Sequence, residues 1–301
     1  MFERILVPLD GSETAEAALA YVALLPSERV RFLAVESDRS DLSAVCTAAR
    51  DCRSYLEAVA APLREQGRDV DTLVAFGNPA EQILALAATA DLVVMGSHGH
   101  GGIKRFVLGS IADEVARHAP VPVMVVRGGS APPPAVQLRR IVVPLDGSEL
   151  AEQAMPVAAS LAADLGVPVH LMRVLDVDAL RATVQAGNHS AAAYMRSHGE
   201  IQHHAEEYLA EQAQQLRNRD LAVTTEVLTG SPAVTLLDAI RPVDLVVMTT
   251  HGRGGVRRWL LGSVADKLVR AAAAPVLLVP ASGPEPAAPV DESRESAGVS
   301  T

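Results

Sequence analysis

Short runs of Val, Leu and Ile recur along the chain, each followed by a stretch whose apolar residues fall three and four positions apart. In the first half the runs are 5–9, 30–35, 70–76, 91–96 and 121–126. They are nearly continuous rather than alternating, the pattern of parallel strands covered on both faces. Residues 43–66 place Val45, Cys52, Tyr55, Leu56, Val59 and Leu63 at three-, four- and seven-residue steps, which predicts a helix with one apolar face. In GNPAEQI (77–83) and GSPAVTL (230–236), Asn78 and Ser231 are N-cap residue types, and the proline after each suits the first helical position. Such strand–helix alternation predicts a doubly wound α/β sheet.

The pattern occurs twice. RILVPLDGS at 4–12 returns as RIVVPLDGS at 140–148, an offset of 136, and DLVVM at 91–95 returns at 244–248, an offset of 153. The offset of 153 also relates Gly77 to Gly230, Pro79 to Pro232, Gly99 to Gly252, Gly109 to Gly262 and Pro122 to Pro275. Between these anchors VRFLAV (30–35) matches VHLMRV (169–174) at 139, so the second copy is longer in its first two crossovers. A duplicated five-stranded α/β domain is expected, with copies at 1–130 and 139–280. A Pro-rich linker at 131–138 joins them, and a Pro-, Glu- and Ser-rich tail at 281–301 is expected to be disordered. Pro156 is expected to kink the second copy's first helix or shift its start.

Composition narrows the function. The 301 residues are 49% hydrophobic but only 3% aromatic, so the core rests on Ala, Val and Leu and offers few stacking platforms for single-stranded nucleic acid. The net charge of −10 argues against general binding to nucleic acid or an anionic membrane. Cys46 and Cys52 lack CxxC spacing and read as buried reduced thiols. MFERILVPLDGSE does not resemble a secretory signal, and no apolar run is long enough for a membrane span. A cytoplasmic protein is expected. His189, His198, His203 and His204 lack spacing that would set two rings on one helical face, so no metal site is expected there.

The most specific chemistry follows the fourth strand, in VMGSHGHGGIKRFVLGSIADEV (94–115). A Gly-rich loop leaves an apolar strand and opens a helix near Gly109-Ser110. Backbone N–H groups bared by Gly96 and Gly99, with the positive end of that helix, suit phosphate oxygens. Ser110 reads both as an N-cap and as a direct donor. The loop's Lys104 and Arg105, or Arg257 and Arg258, suit either phosphate or solvent. A Walker A loop is excluded because Leu108-Gly109 stands where Gly-Lys would precede the helix-opening Ser110. The dinucleotide GxGxxG is also absent, PLDGSE standing after the first strand. There Asp10 and Asp146 suit ribose hydroxyls, or else serve as turn residues before the N-capping Ser12 and Ser148.

Gly96-x2-Gly99-x9-Gly109-Ser110, with PLDGS and GNPAEQI, resembles the universal stress protein family over both copies. The resemblance implies a strand order of 3-2-1-4-5 and ATP, with Mg²⁺ or Mn²⁺, bound between strands one and four. It implies that Pro8, Leu9, Asp10 and Val35 surround adenosine, and that Gly96, His98, Gly99, Gly109, Ser110 and Ile111 hold ribose and phosphates. The corresponding second-copy residues are Pro144, Leu145, Asp146, Val174, Thr249, His251, Gly252, Gly262, Ser263 and Val264. Thr249 departs from the pattern, standing where the first copy has Gly96. Its Cβ and hydroxyl are expected to alter the second site, and Thr249→Gly to strengthen it.

Three function classes stay open. The first is an ATP-binding stress or signalling module with no catalytic residue. The second is a slow ATP hydrolase or phosphotransferase in which Asp10 or His98 organises metal or water. The third is an adaptor with vestigial nucleotide pockets. Each copy ends in an apolar strand, PVMVV at 122–126 and PVLLV at 275–279, and an exposed apolar edge invites pairing. The resemblance implies that the copies face each other through these strands about a pseudo-twofold axis. A further homodimer through other faces is compatible with this and not required.

Overall fold

The computed structural model describes residues 2–36, 42–97, 108–127, 136–176, 191–250 and 261–281, with side chains described outside 42–50 and 191–198. The first half runs β1 (Arg4–Pro8), α1 (Glu13–Val22), β2 (Arg29–Glu36), α2 (Leu42–Glu65), β3 (Asp69–Phe76), α3 (Pro79–Ala87), β4 (Leu92–Gly96), α4 (Ser110–His118) and β5 (Val123–Val126). The second half runs β6 (Arg140–Pro144), α5 (Glu149–Glu152), α6 (Met155–Leu165), β7 (Val169–Asp176), α7 (Ala191–Arg217), β8 (Val223–Gly230), α8 (Pro232–Ala239), β9 (Asp244–Thr249), α9 (Ser263–Ala271) and β10 (Val276–Val279). All of the proposed tail after Ala281 and most of the linker lie outside the described residues.

The strands form one ten-stranded sheet in the order β3-β2-β1-β4-β5-β10-β9-β6-β7-β8. Each half is parallel throughout and has the doubly wound order expected of it. The halves meet where β10 pairs antiparallel with β5, Val276 opposite Val125, Leu277 opposite Met124 and Leu278 opposite Val123. Alternation along the strands feeds two apolar layers. Leu92 and Val94 of β4 face one with α1 and α2, whereas Val93 and Met95 face the other with α3 and α4.

Local chemistry explains the helix ends. Ser12 Oγ accepts the Ala15 amide at 3.1 Å, and Asn78 Oδ1 accepts the Ala80 amide at 2.9 Å, each satisfying an otherwise unpaired helix donor. Ser231 makes no such side-chain bond, so only the first of the two caps operates through its side chain. At Pro156 the second copy's first helix is split: α5 stops at Glu152, and α6 begins at Met155 with the proline in its first turn.

Asp91 and Asp244 occupy equivalent places before β4 and at the start of β9, and each grips an arginine of the central strand. Arg4 Nη2 reaches Asp91 at 3.0 Å, and Arg140 Nε reaches Asp244 at 2.8 Å. The difference is burial: the Asp91 side chain is 31% exposed and that of Asp244 only 1%. Asp244→Ala is therefore expected to cost about 3 kcal/mol by stranding Arg140. Asp91→Ala should cost about 1 kcal/mol. Equilibrium denaturation of the two variants checks the ordering.

Candidate functional site

In each half the central strand has one parallel neighbour from the earlier crossover and one from the later: β1 lies between β2 and β4, and β6 between β7 and β9. Connections leave such a point for opposite faces, opening a crevice at the carboxyl ends of the strands. The first half brings Pro8, Leu9 and Asp10 there from β1, Val35 from the end of β2, Gly96 from β4, and Gly109, Ser110 and Ile111 from the start of α4. The second half repeats this with Pro144, Leu145, Asp146, Val174, Thr249, Gly262, Ser263 and Val264. His98, Gly99, Lys104, Arg105, His251, Gly252, Arg257 and Arg258 lie outside the described residues.

The turn after the central strand is rigid. Asp10 Oδ1 accepts from the Ser12 amide at 3.1 Å and from its hydroxyl at 2.6 Å, while Ser12 caps α1. Asp146 does the same with Ser148, at 3.0 and 2.6 Å. Both aspartates are thus turn residues in fact, with one carboxylate oxygen engaged in holding the turn. Gly11 and Gly147 have φ of 79° and 82°, a left-handed backbone that favours glycine. Leu9 and Leu145 are core residues, 3% and 2% exposed, tied by their amides to Leu33 and Met172.

The Gly-rich loop is closed at its base. Gly109 donates its amide to Ser97 O at 2.8 Å, while the Ser97 amide reaches Val126 O at 2.8 Å. In the second half Gly262 donates to Thr250 O at 2.7 Å and Thr250 to Val279 O at 3.0 Å. Beyond this pinch each helix starts without a side-chain cap, for the N-cap residue is Gly109 or Gly262. The sequence places Ser110 as an N-cap; it is instead the first helical residue, because the extended N-cap conformation falls one position earlier. Ser110 and Ser263 are exposed, so each hydroxyl stands beside first-turn N–H groups that the N-cap residue itself does not cap. Such a terminus attracts anions.

Comparison with known proteins agrees with this architecture. The pattern of the universal stress protein family matches residues 1–127 and again 137–280. The chain belongs to the universal stress protein family. A universal stress protein of Mycobacterium tuberculosis is 33% identical over 214 residues, covering 69% of this chain and 68% of its own. One from Methanocaldococcus jannaschii is 29% identical over 143 residues, covering 47% of this chain and 81% of its own. The crystal structure of a universal stress protein from Archaeoglobus fulgidus superposes with a TM-score of 0.69 at 19% identity, covering 92% of this chain and 97% of that one.

Within this universal stress protein the two halves differ at Gly96 and Thr249, and the structure corrects the meaning of that difference. A Cβ on Gly96 would lie 2.5 Å from Thr14 O and 2.9 Å from Ala15 Cα, both backbone atoms of α1. Glycine there lets α1 pack on β4. Thr249, by the same alternation, turns toward the α5–α6 layer and is 4% exposed.

A further constellation was not singled out from sequence. Tyr55 of α2 donates to Glu16 Oε1 of α1 at 3.0 Å, and Tyr208 of α7 donates to Glu152 Oε1 of α5 at 2.9 Å. Burial and the neighbouring carboxylate push both phenols well above their ordinary pKa. These pairs buttress the aspartate turns as neutral donors. The recurrence of the two types at the repeat offsets was the available signal. Only the second half adds Arg173, in place of Ala34, with its guanidinium 4.9 Å from the Tyr208 ring centroid and packed against Gly147.

Two other features lack site character. Cys52, of intermediate exposure, donates to Glu36 Oε1 at 2.7 Å, and burial with that carboxylate pushes its thiol up to about 11, which disfavours the thiolate. A cavity of about 210 Å³ opens at the opposite end of the first half's strands, lined by Arg4, Arg29, Arg31 and Leu86. Its arginines are paired with Asp91, Asp69 and Asp71, so their charge is already compensated. Among the described residues no three His, Cys, Asp or Glu side chains gather to hold a metal, and no helix is long and apolar enough to cross a membrane.

Proposed function

We propose that each half binds an adenine nucleotide, ATP foremost, and that the chain works as a nucleotide-sensing stress or signalling module with little or no catalysis. The observation that carries this reading is the glycine-capped start of α4, set at the switch point of its sheet with Ser110 exposed, and its duplicate at α9. The first-turn amides and the serine hydroxyl would take phosphate oxygens. Asp10 and Asp146, fixed at the mouth of the crevice by their serines, would meet the ribose hydroxyls. Val35 and Val174, half-buried beside the α3–α4 and α8–α9 layer, would line the base. A Mg²⁺ or Mn²⁺ ion arriving with ATP would be held chiefly by phosphate, since the described side chains form no cluster for it.

Phosphoryl transfer needs a placed base or water-orienting group and added positive charge at the leaving phosphate. The described crevice presents a turn-bound aspartate and serine hydroxyl in each half, an arrangement that suits holding better than hydrolysis. In single-turnover incubation with Mg²⁺ or Mn²⁺, the protein is expected to return bound ATP unchanged over many minutes. Native mass spectrometry of the purified full chain should show adenine nucleotide carried along. Rapid conversion to ADP would move the protein to the hydrolase class. Failure of either half to take ATP would leave the adaptor reading.

A further inference from the structure

Helices α4 and α9, which begin at the two candidate phosphate sites, meet through a reciprocal set of charges across the β5–β10 seam. Asp113 accepts from Arg117 of its own helix at 2.8 and 2.9 Å and from Arg270 of the other half at 3.2 Å. Asp266 accepts from Arg270 at 2.9 Å and faces Arg117 at 3.6 Å. The four side chains are only 20–29% exposed, so solvent screens them less than it does surface pairs. Each carboxylate is one turn from its own site: the Asp113 amide donates to Gly109 O and the Asp266 amide to Gly262 O, both at 2.8 Å. A second strut is one-sided, for Arg127 beyond β5 donates to Ala271 O at 2.9 Å and Ala272 O at 3.2 Å at the end of α9.

Building on the nucleotide reading, we propose that the two sites form one coupled unit, in which Arg117 and Arg270 act as positioning residues for the phosphate helix of the opposite half. The path runs from Gly109 through Asp113 to Arg270 and Asp266, and so to Gly262, each step a hydrogen bond or ion pair. A phosphate at the start of α4 orders that helix and fixes Asp113. Asp113 then holds Arg270 and with it α9, so the second nucleotide meets a helix already ordered. Positive coupling follows, because the ordering cost is shared. The charges are arranged so that neither half presents its helix independently of the other.

The test is calorimetric titration of the full chain with Mg-ATP in four backgrounds: unmodified, Gly109→Val, Arg117→Met/Arg270→Met, and all three changes together. With the first site blocked by Gly109→Val, affinity at the second site is expected to fall about fivefold or more. In the Arg117→Met/Arg270→Met background the same block should leave the second site unchanged. If that double variant unfolds, Asp113→Asn/Asp266→Asn replaces it with the same expectation. A second site indifferent to Gly109→Val in the unmodified background overturns the coupling while leaving nucleotide binding intact. Absence of ATP binding in the unmodified protein overturns the nucleotide reading and the coupling with it.

Discussion

Gly109→Val is expected to abolish ATP binding in the first half without unfolding it. Gly109 has φ −61° and ψ 148°, a conformation that valine adopts readily, so the backbone is not strained by the change. Exchanging an N-cap glycine for valine costs about 1 kcal/mol of helix stability, small beside a domain's total. What it is expected to remove is access, because it adds a branched Cβ at the residue that immediately precedes the first-turn amides. Losing two N–H bonds to a charged phosphate, at about 1.5 kcal/mol or more each, corresponds to a fall of about 100-fold or more in affinity. Calorimetry of the full chain should show one binding event lost, with an unaltered circular dichroism spectrum. Retained stoichiometry and affinity would remove Gly109 from the site.

The second large effect lies in stability rather than binding. Gly96→Val should destabilise the first half by about 2–3 kcal/mol or more, because the new Cβ meets the backbone of α1, which no rotamer change can move aside. The reciprocal Thr249→Gly removes a buried side chain and adds backbone freedom, costing about 1 kcal/mol or more. It should leave ATP affinity at the second site unchanged. Denaturant midpoints and parallel titrations of the two variants measure both statements. A tighter second site in Thr249→Gly would restore the view that this position faces the ligand.

Gly96 shows where the sequence was legible and where it was not. The duplication, the strand–helix alternation and the break at Pro156 all follow from local pattern, and a repeat read twice corroborates itself. The placement of Asp10, Gly109 and Ser110 at one crevice was accessible because a doubly wound sheet gathers the ends of its first and fourth strands. The packing demand on Gly96 was not legible, because a glycine in a loop motif does not announce which face its absent Cβ would have filled. The alternation of Val93, Val94, Met95 and Gly96 between two layers decides that, and it becomes visible only once the helix opposite is known. The unequal burial of Asp91 and Asp244 was likewise invisible, since both stand at the same place in near-identical segments. Tyr55 and Tyr208 could have been found: each recurs with its glutamate at the repeat offsets, but a tyrosine on an apolar helix face looks like core until its hydroxyl has a partner.

Equilibrium titration of the intact chain with Mg-ATP decides whether both halves bind nucleotide. Saturable binding at two sites per chain is expected, one of them removed by Gly109→Val and the other by Gly262→Val. Absence of saturable binding at millimolar ATP, or binding that survives both substitutions together, would contradict it.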